Sequence, residues 1–306
     1  MKLAFIFPGQ GAQYAGMGKE FYEQFAESRR IFDTASEVLS MDMKELCFEQ
    51  NERLDVTAYT QAAMLTTSAA MLAVVEAEGI RADAAAGLSL GEYGAILAGK
   101  AMSFEDAVAV VRKRGILMQE AVPSGGAMAA VMGTDPELIR KICGQTEGIV
   151  SVANYNCPGQ IVITGESEAV AKACESLKEA GARRTVPLKV SGPFHSALLE
   201  NAGRQLEEVL SSVVIQNPQI PYVTNVTAEY VTDSEEIKSL LGRQVYSSVL
   251  WQQSVERLIA DGTDTFLEIG PGRTLSGFVK KISRDVKVMN IEKPDDLKKV
   301  MEEIKC

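Results

Sequence analysis

Ser89 is the residue in this sequence best placed to act as a nucleophile, because it lies in Gly87-Leu88-Ser89-Leu90-Gly91, between an apolar run and a helical pattern. A serine on a turn from strand straight into helix is held at strained backbone angles, and flanking glycines keep side chains from colliding there. It then stands beside a helix N-terminus, where backbone N–H groups stabilise an anion. A serine hydroxyl also needs a base to take its proton, and the chain has a single histidine, His195. Only one imidazole is available for that role. A third group is Arg114. With residues placed about 100° apart on a helical wheel, it falls at the edge of the apolar stripe of a helix, between Ala107 and Val110, whereas Lys113 points away. A partly buried arginine demands an anionic partner, in the protein or in a ligand.

The elements that must position these groups alternate between strand and helix. Residues 3–7 are a continuous apolar run ended by Pro8-Gly9-Gln10-Gly11, which reads as a buried parallel strand with a loop at its carboxyl end. Helical patterns follow over 19–39 and 57–78, then a short strand over 84–88, a helix from 90 to 99, and a helix opened by the capping box Ser103-Phe104-Glu105-Asp106 and running to about 120. Such alternation gives an α/β layer fold, and open α/β sheets collect their sites at the carboxyl ends of strands.

Pro123-Ser124-Gly125-Gly126 is a break in composition. After it come a strand (127–132), a helix (136–145), two strands (150–155 and 160–164) around Asn156-Cys157-Pro158-Gly159, a helix (168–180) and a strand (185–190). The order β-α-β-β-α-β predicts a ferredoxin-like subdomain over 124–191, inserted into a larger unit of 1–123 and 192–306. Gly192-Pro193 makes a rigid turn, so that His195 is expected at the start of a helix reaching 212. Strands at 221–226, 265–269 and 287–291 and helices at 234–242, at 249–261 and from Pro294 complete the pattern.

Composition narrows the class. The chain has 306 residues and a net charge of −10, which argues against nucleic acid as the main partner but leaves room for a local basic patch. The most apolar window, 61–75, is interrupted by Thr66, Thr67 and Ser68, and no membrane span is expected. The opening residues are too short and too soon ended by Pro8 for a signal peptide, which points to the cytoplasm. Cys47, Cys143, Cys157, Cys174 and Cys306 are widely spaced, with no C-x-x-C pair, and read as reduced packing residues; no metal site is expected.

Phe7-Pro8-Gly9-Gln10-Gly11, Gly87-Leu88-Ser89-Leu90-Gly91-Glu92, Arg114, Gly192-Pro193-Phe194-His195, Thr224-Asn225-Val226-Thr227 and Glu268-Ile269-Gly270-Pro271-Gly272, taken in this order, resemble the malonyl-CoA:acyl carrier protein transacylases over nearly the whole chain. The resemblance implies an α/β-hydrolase-like parallel-sheet domain carrying the ferredoxin-like insertion. It also implies ping-pong transfer of malonyl from coenzyme A, through a malonyl ester on Ser89, to the phosphopantetheine thiol of acyl carrier protein. His195 would be general base and then general acid, oriented by a backbone carbonyl near Gln244. The N–H groups of Leu90 and Gln10 would hold the oxyanion. Arg114 would grip the malonyl carboxylate with two parallel hydrogen bonds. Phe194 resembles a residue that fills the space a methylmalonyl group would need, and the family's asparagine near the small-domain strands matches either Asn154 or Asn156.

An acidic carrier requires a basic face, for which Arg183, Arg184, Lys189, Lys280, Lys281 and Arg284 are the candidates. No cofactor is called for, and a monomer is expected. Leu88 departs from the pattern, since many relatives carry histidine there. Two other readings share part of the same residues. A serine hydrolase such as a thioesterase would use Ser89 and His195 but has no need of Arg114 or the insertion. A non-catalytic carrier-binding module would have no need to keep all three.

Overall fold

The run Leu3–Phe7 forms a strand buried at every residue, as a strand with parallel neighbours on both sides must be. In the computed structural model, which describes residues 1–305, it is β1 of ten strands. The others are β2 (Ala84–Gly87), β3 (Gly126–Met132), β4 (Val150–Cys157), β5 (Gln160–Glu166), β6 (Arg184–Pro187), β7 (Tyr222–Val223), β8 (Tyr230–Val231), β9 (Thr265–Ile269) and β10 (Lys287–Ile291). Six make one sheet in the order β10-β9-β1-β2-β7-β8, parallel except for the terminal β7–β8 pair. Phe7 is in register with Gly87, so the loop Pro8-Gly9-Gln10-Gly11 and the turn carrying Ser89 leave the same edge side by side.

The remaining four strands form an antiparallel sheet in the order β6-β3-β5-β4. That is the ferredoxin-like arrangement, with helices Pro136–Gln145 and Ser167–Glu179 on one face. Strand periodicity divides the side chains between two environments. Ala129, Val131, Ile161 and Ile163 pack on the helices, whereas Met128, Ala130, Gln160 and Val162 face a cavity. In β4 the pairing jumps from Val152 to Asn154, leaving Ala153 as an extra residue. This bulge reverses the alternation: Val150 and Val152 face the helices, while Asn154 and Asn156 face the cavity. The extra residue also ties the small sheet to the loop before helix Trp251–Ala260, because Val249 N–H donates to the Ala153 carbonyl at 2.7 Å and Tyr155 N–H to the Val249 carbonyl at 2.9 Å.

Several sequence expectations shift. The helix over 19–39 is two, Lys19–Gln24 and Ala26–Leu39, because Phe25 takes an extended conformation and stacks on Phe21 with ring centroids 5.5 Å apart. A helix not anticipated, Met43–Phe48, is capped by Asp42, whose carboxylate accepts from the N–H groups of Lys44 and Glu45. The strand over 221–226 shrinks to Tyr222–Val223, which frees Asn225 for the site, and β8 was not foreseen. Helix Thr57–Ala77 is long and apolar enough, by composition, to cross a membrane, despite Thr66, Thr67 and Ser68. In this fold 89 % of that apolar window is buried, packed between Ala26–Leu39 and Phe104–Ala121. Cys47, Cys143 and Cys157 are buried free thiols and Cys174 is half-buried; Cys306 lies outside the described residues.

Candidate active site

Ser89 sits at φ +53°, in the left-handed region that a serine occupies only when its surroundings hold it there. Asn225 does so from both sides. Its Oδ1 accepts the Ser89 N–H at 2.6 Å and its Nδ2 donates to the Gly87 carbonyl at 2.7 Å. The glycines are required by close approach: a Cβ on Gly87 would overlap the Gly91 carbonyl, and one on Gly91 would overlap the Phe7 carbonyl. Helix Gly91–Ala98 is thereby seated directly on the ends of β1 and β2.

His195 Nε2 lies 2.8 Å from Ser89 Oγ, and its Nδ1 lies 2.8 Å from the backbone oxygen of Gln244. A carbonyl can only accept, so Nδ1 carries the proton and Nε2 offers its lone pair to the serine hydroxyl. The expectation that His195 opens a helix is corrected. It has φ +60° in a loop, followed by a 3-10 turn at Ala197–Leu199, and the helix begins only at Glu200. Its aim comes instead from its own N–H, bonded to the Val245 carbonyl at 3.2 Å, and from Ser196 Oγ, which closes the turn on the Pro193 carbonyl at 2.7 Å. Burial, and then the nearby charge of Arg114, lower the imidazole to about 4, so that it is a neutral base at neutral pH.

The wheel placed Arg114 at the edge of its stripe, half-buried; the structure buries it to 1 % exposure. Nη1 donates to Gln61 Oε1 at 2.7 Å, and Nη2 donates to Gln244 Oε1 at 2.8 Å and to Ser89 Oγ at 3.1 Å. Its carbon Cζ stands 5.9 Å from the centre of the Tyr93 ring. All these partners are neutral, Nε has none, and Arg114 forms no salt bridge among the described residues. A buried guanidinium with only neutral groups in direct contact has no anion paired with it.

These groups share a cavity of about 320 Å³ between the two sheets. Gln10 and Leu90 line it, and neither backbone N–H finds an acceptor among the described residues. The Gln10 side chain is fixed by Thr57 Oγ1 at 3.0 Å, itself 2.7 Å from Ser191 Oγ. Phe194 and Leu88 form apolar wall, and Asn154 and Asn156, the two alternatives left by the sequence, both line the cavity. Gln244 touches the site through its side chain as well as its carbonyl, with Nε2 donating to the Ser89 carbonyl at 3.0 Å.

The six basic candidates are all exposed, and none is in a salt bridge among the described residues. They do not form one cluster. Lys280 and Lys281 end helix Thr274–Ile282, whose first turns line the cavity, and Arg284 lies beyond that helix. Lys189 sits between the cavity-lining Leu188 and Val190. Arg183 and Arg184 lie at the other end of β6, where Arg184 pairs with Met132 and Arg183 packs near Gly133.

The sequence alone does not mark Asn225, Glu92, Gln61 or Thr57 as site residues beyond placing the first two in motifs. The available signal was polarity in the wrong place: Gln61 lies in an apolar helix and Glu92 next to the nucleophile's own glycine.

The family model described as acyl transferase domain matches residues 4–294. The chain belongs to the acyl transferase family. It is 47 % identical to the malonyl CoA-acyl carrier protein transacylase of Bacillus subtilis, with 99 % of this chain and 98 % of that protein covered. The enzyme of the same name from Staphylococcus aureus is 43 % identical, with 97 % of each covered. Among solved structures, the malonyl CoA-acyl carrier protein transacylase of Clostridium perfringens superposes with a TM-score of 0.96 at 45 % identity, covering 100 % of this chain and 98 % of that one. A malonyl-transacylase solved in complex with a type II polyketide acyl-carrier protein superposes with a TM-score of 0.96 at 39 % identity, covering 99 % of this chain and 100 % of that one.

In this acyl transferase, Asn225→Ala leaves the Ser89 N–H and Gly87 carbonyl unpaired. It should cost about 1–3 kcal/mol for each group in a urea titration and slow labelling of Ser89 by a sulfonyl fluoride. The same labelling should fall away as pH drops through about 4, where His195 gains its proton, and should be level across neutrality.

Proposed function

We propose that this chain transfers the malonyl group of malonyl-CoA to the phosphopantetheine thiol of acyl carrier protein, through a malonyl ester on Ser89. The observation that carries the reading is Arg114: a buried guanidinium beside the nucleophile, facing the cavity, with only neutral partners. A malonyl carboxylate supplies the missing anion. An acetyl or fatty acyl group does not, and leaves the desolvated guanidinium without a directly paired anion.

In the first half-reaction His195 Nε2 takes the hydroxyl proton as Ser89 Oγ attacks the thioester carbonyl. The N–H groups of Leu90 and Gln10 receive the oxyanion, and the imidazolium returns the proton to the departing coenzyme A sulfur. The second half-reaction reverses these roles, with the carrier thiol as attacking group. Arg114 has a second effect. Its charge is one of the two causes that depress His195, so a carboxylate that neutralises it strengthens the base. The correct acyl group therefore improves its own catalyst.

Every group invoked comes from one chain, which supports a monomer, and Ser–His chemistry calls for no cofactor. Met118 and Phe194 are bulky apolar groups on the cavity wall, in keeping with malonyl over branched analogues. Asn154 and Asn156 offer amides to the substrate arm. We place the enzyme in the cytoplasm, and take 124–191 as a subdomain inserted between 1–123 and 192–306. Lys189, Lys280 and Lys281 flank the cavity-lining residues and are the part of the basic set suited to an acidic carrier; Arg183, Arg184 and Arg284 stand further off.

The deciding experiment is intact-protein mass spectrometry after incubation with malonyl-CoA, followed by carrier protein. A malonyl adduct on Ser89 that passes to the carrier is expected; loss of the adduct to water alone would make the chain a hydrolase. Arg114→Ala should cut malonyl loading by about 10²-fold or more relative to acetyl loading, and an unchanged ratio would make the arginine structural. Charge reversal at Lys280 and Lys281 should slow transfer to the carrier severalfold while leaving loading intact, read as separate half-reactions.

A further inference from the structure

Glu92 is a carboxylate buried to 0 % exposure directly behind the nucleophile, with no role in the chemistry above. Its Oε2 accepts the Gln244 side-chain N–H at 2.7 Å and the Asn225 backbone N–H at 3.0 Å. The same Gln244 amide accepts from Arg114 Nη2 at 2.8 Å through its oxygen. One side-chain amide therefore lies between the two buried charges, its positive end on Glu92 and its negative end on Arg114. We propose that Glu92 is the remote counter-charge of Arg114, joined to it through Gln244, and that Glu92 takes up a proton when an acyl carboxylate enters the site. This rests on the transacylase reading.

The argument is charge balance in a dry space. With the site free, an ionised Glu92 offsets Arg114 across the Gln244 dipole, and the pocket is close to neutral. When a malonyl carboxylate pairs with Arg114, two carboxylates face one guanidinium, and the one farther from it loses its reason to be ionised. A proton from solvent then forms an O–H bond on Glu92, no other bond changes, and the pocket is again close to neutral.

The surroundings fit both states. Oε1 is buried without a hydrogen-bond partner, and so is the hydroxyl oxygen of the adjoining Thr224. A proton on Oε1 supplies a donor between these two oxygens. The other charged or titratable groups that face Glu92 are Arg114 from helix Phe104–Ala121, Tyr93 from its own helix and Tyr222 from β7. Neither tyrosine carries charge near neutrality, since burial pushes both well up. Burial raises Glu92 to about 7 in the free site, with the hydrogen bonds from Gln244 and Asn225, the adjoining Thr224 hydroxyl and then the Arg114 charge holding it down. Pairing of Arg114 with a ligand carboxylate removes the last of these and raises Glu92 further.

The test is proton counting. A Ser89→Ala chain binds malonyl-CoA without turning it over, and calorimetric titration in two buffers of different ionisation enthalpy gives the protons taken up. At pH 7 net proton uptake of less than one per site is expected for malonyl-CoA, because the free carboxyl, raised to about 7, is still partly ionised before the ligand enters. Acetyl-CoA should give essentially none. By linkage, malonyl-CoA affinity should fall severalfold between pH 7 and 8, the direction expected when the bound state holds the extra proton.

Adding Glu92→Gln keeps an oxygen to accept from Asn225 and Gln244 but cannot titrate, so both the uptake and the pH slope should vanish. Malonyl-CoA binding without proton uptake, uptake equal with acetyl-CoA, or uptake that survives Glu92→Gln would overturn the relay alone. Failure of the Ser89→Ala chain to bind malonyl-CoA at all would overturn the functional reading and the relay with it. If Glu92→Gln does not fold, the malonyl against acetyl comparison still decides.

Discussion

A full positive charge held away from water with no anion beside it is the constraint to which the rest of this site answers. Desolvating a guanidinium costs several kcal/mol, and neutral hydrogen bonds recover only part of that. The fold spreads the remainder over its neighbours. Gln61 and Gln244 turn their carbonyl oxygens toward Arg114, the Tyr93 ring lies within reach of it, and Glu92 answers from the far side of Gln244. The same charge depresses the imidazole and touches the nucleophile, so specificity and reactivity are set by one group.

Around that charge the architecture is a matter of which edges meet. Parallel pairing of β1 and β2 in register brings the Gln10 loop and the Ser89 turn together, and the small sheet closes the cavity from the other side. Gln244 is the junction. Its carbonyl orients His195, its side-chain oxygen holds Arg114, and its amide nitrogen binds both Glu92 and the Ser89 carbonyl.

Much of this was legible in the sequence because local chemistry dictated it. The glycines around Ser89 are needed by close approach, β-α-β-β-α-β order fixes the ferredoxin-like sheet, and one histidine leaves no choice of base. What was not legible depends on long-range placement. A helical wheel sees Arg114 at a stripe's edge because it knows one helix, not the cavity that several elements enclose. Asn225 looks like strand until the strand stops short to let it reach Ser89. Asn154 and Asn156 have the wrong parity for the cavity until the extra residue Ala153 reverses it. His195 looked like a helix start because Gly192-Pro193 is ordinarily followed by one; its positive φ is sustained by hydrogen bonds to residues some fifty positions away.

The backbone bonds between Val249 and the bulge in β4 carry a consequence for how this insertion can change over time. The segment from Gln244 to Val249 runs from the carbonyl that aims the imidazole to the extra residue of the inserted sheet. Base and insertion are thus parts of one truss, not a machine and its accessory. A homologous insertion with a different strand length could not be exchanged as a cassette without re-aiming His195. The bonds at Ala153 and Tyr155 are where a change of length in the small sheet would reach the catalytic base.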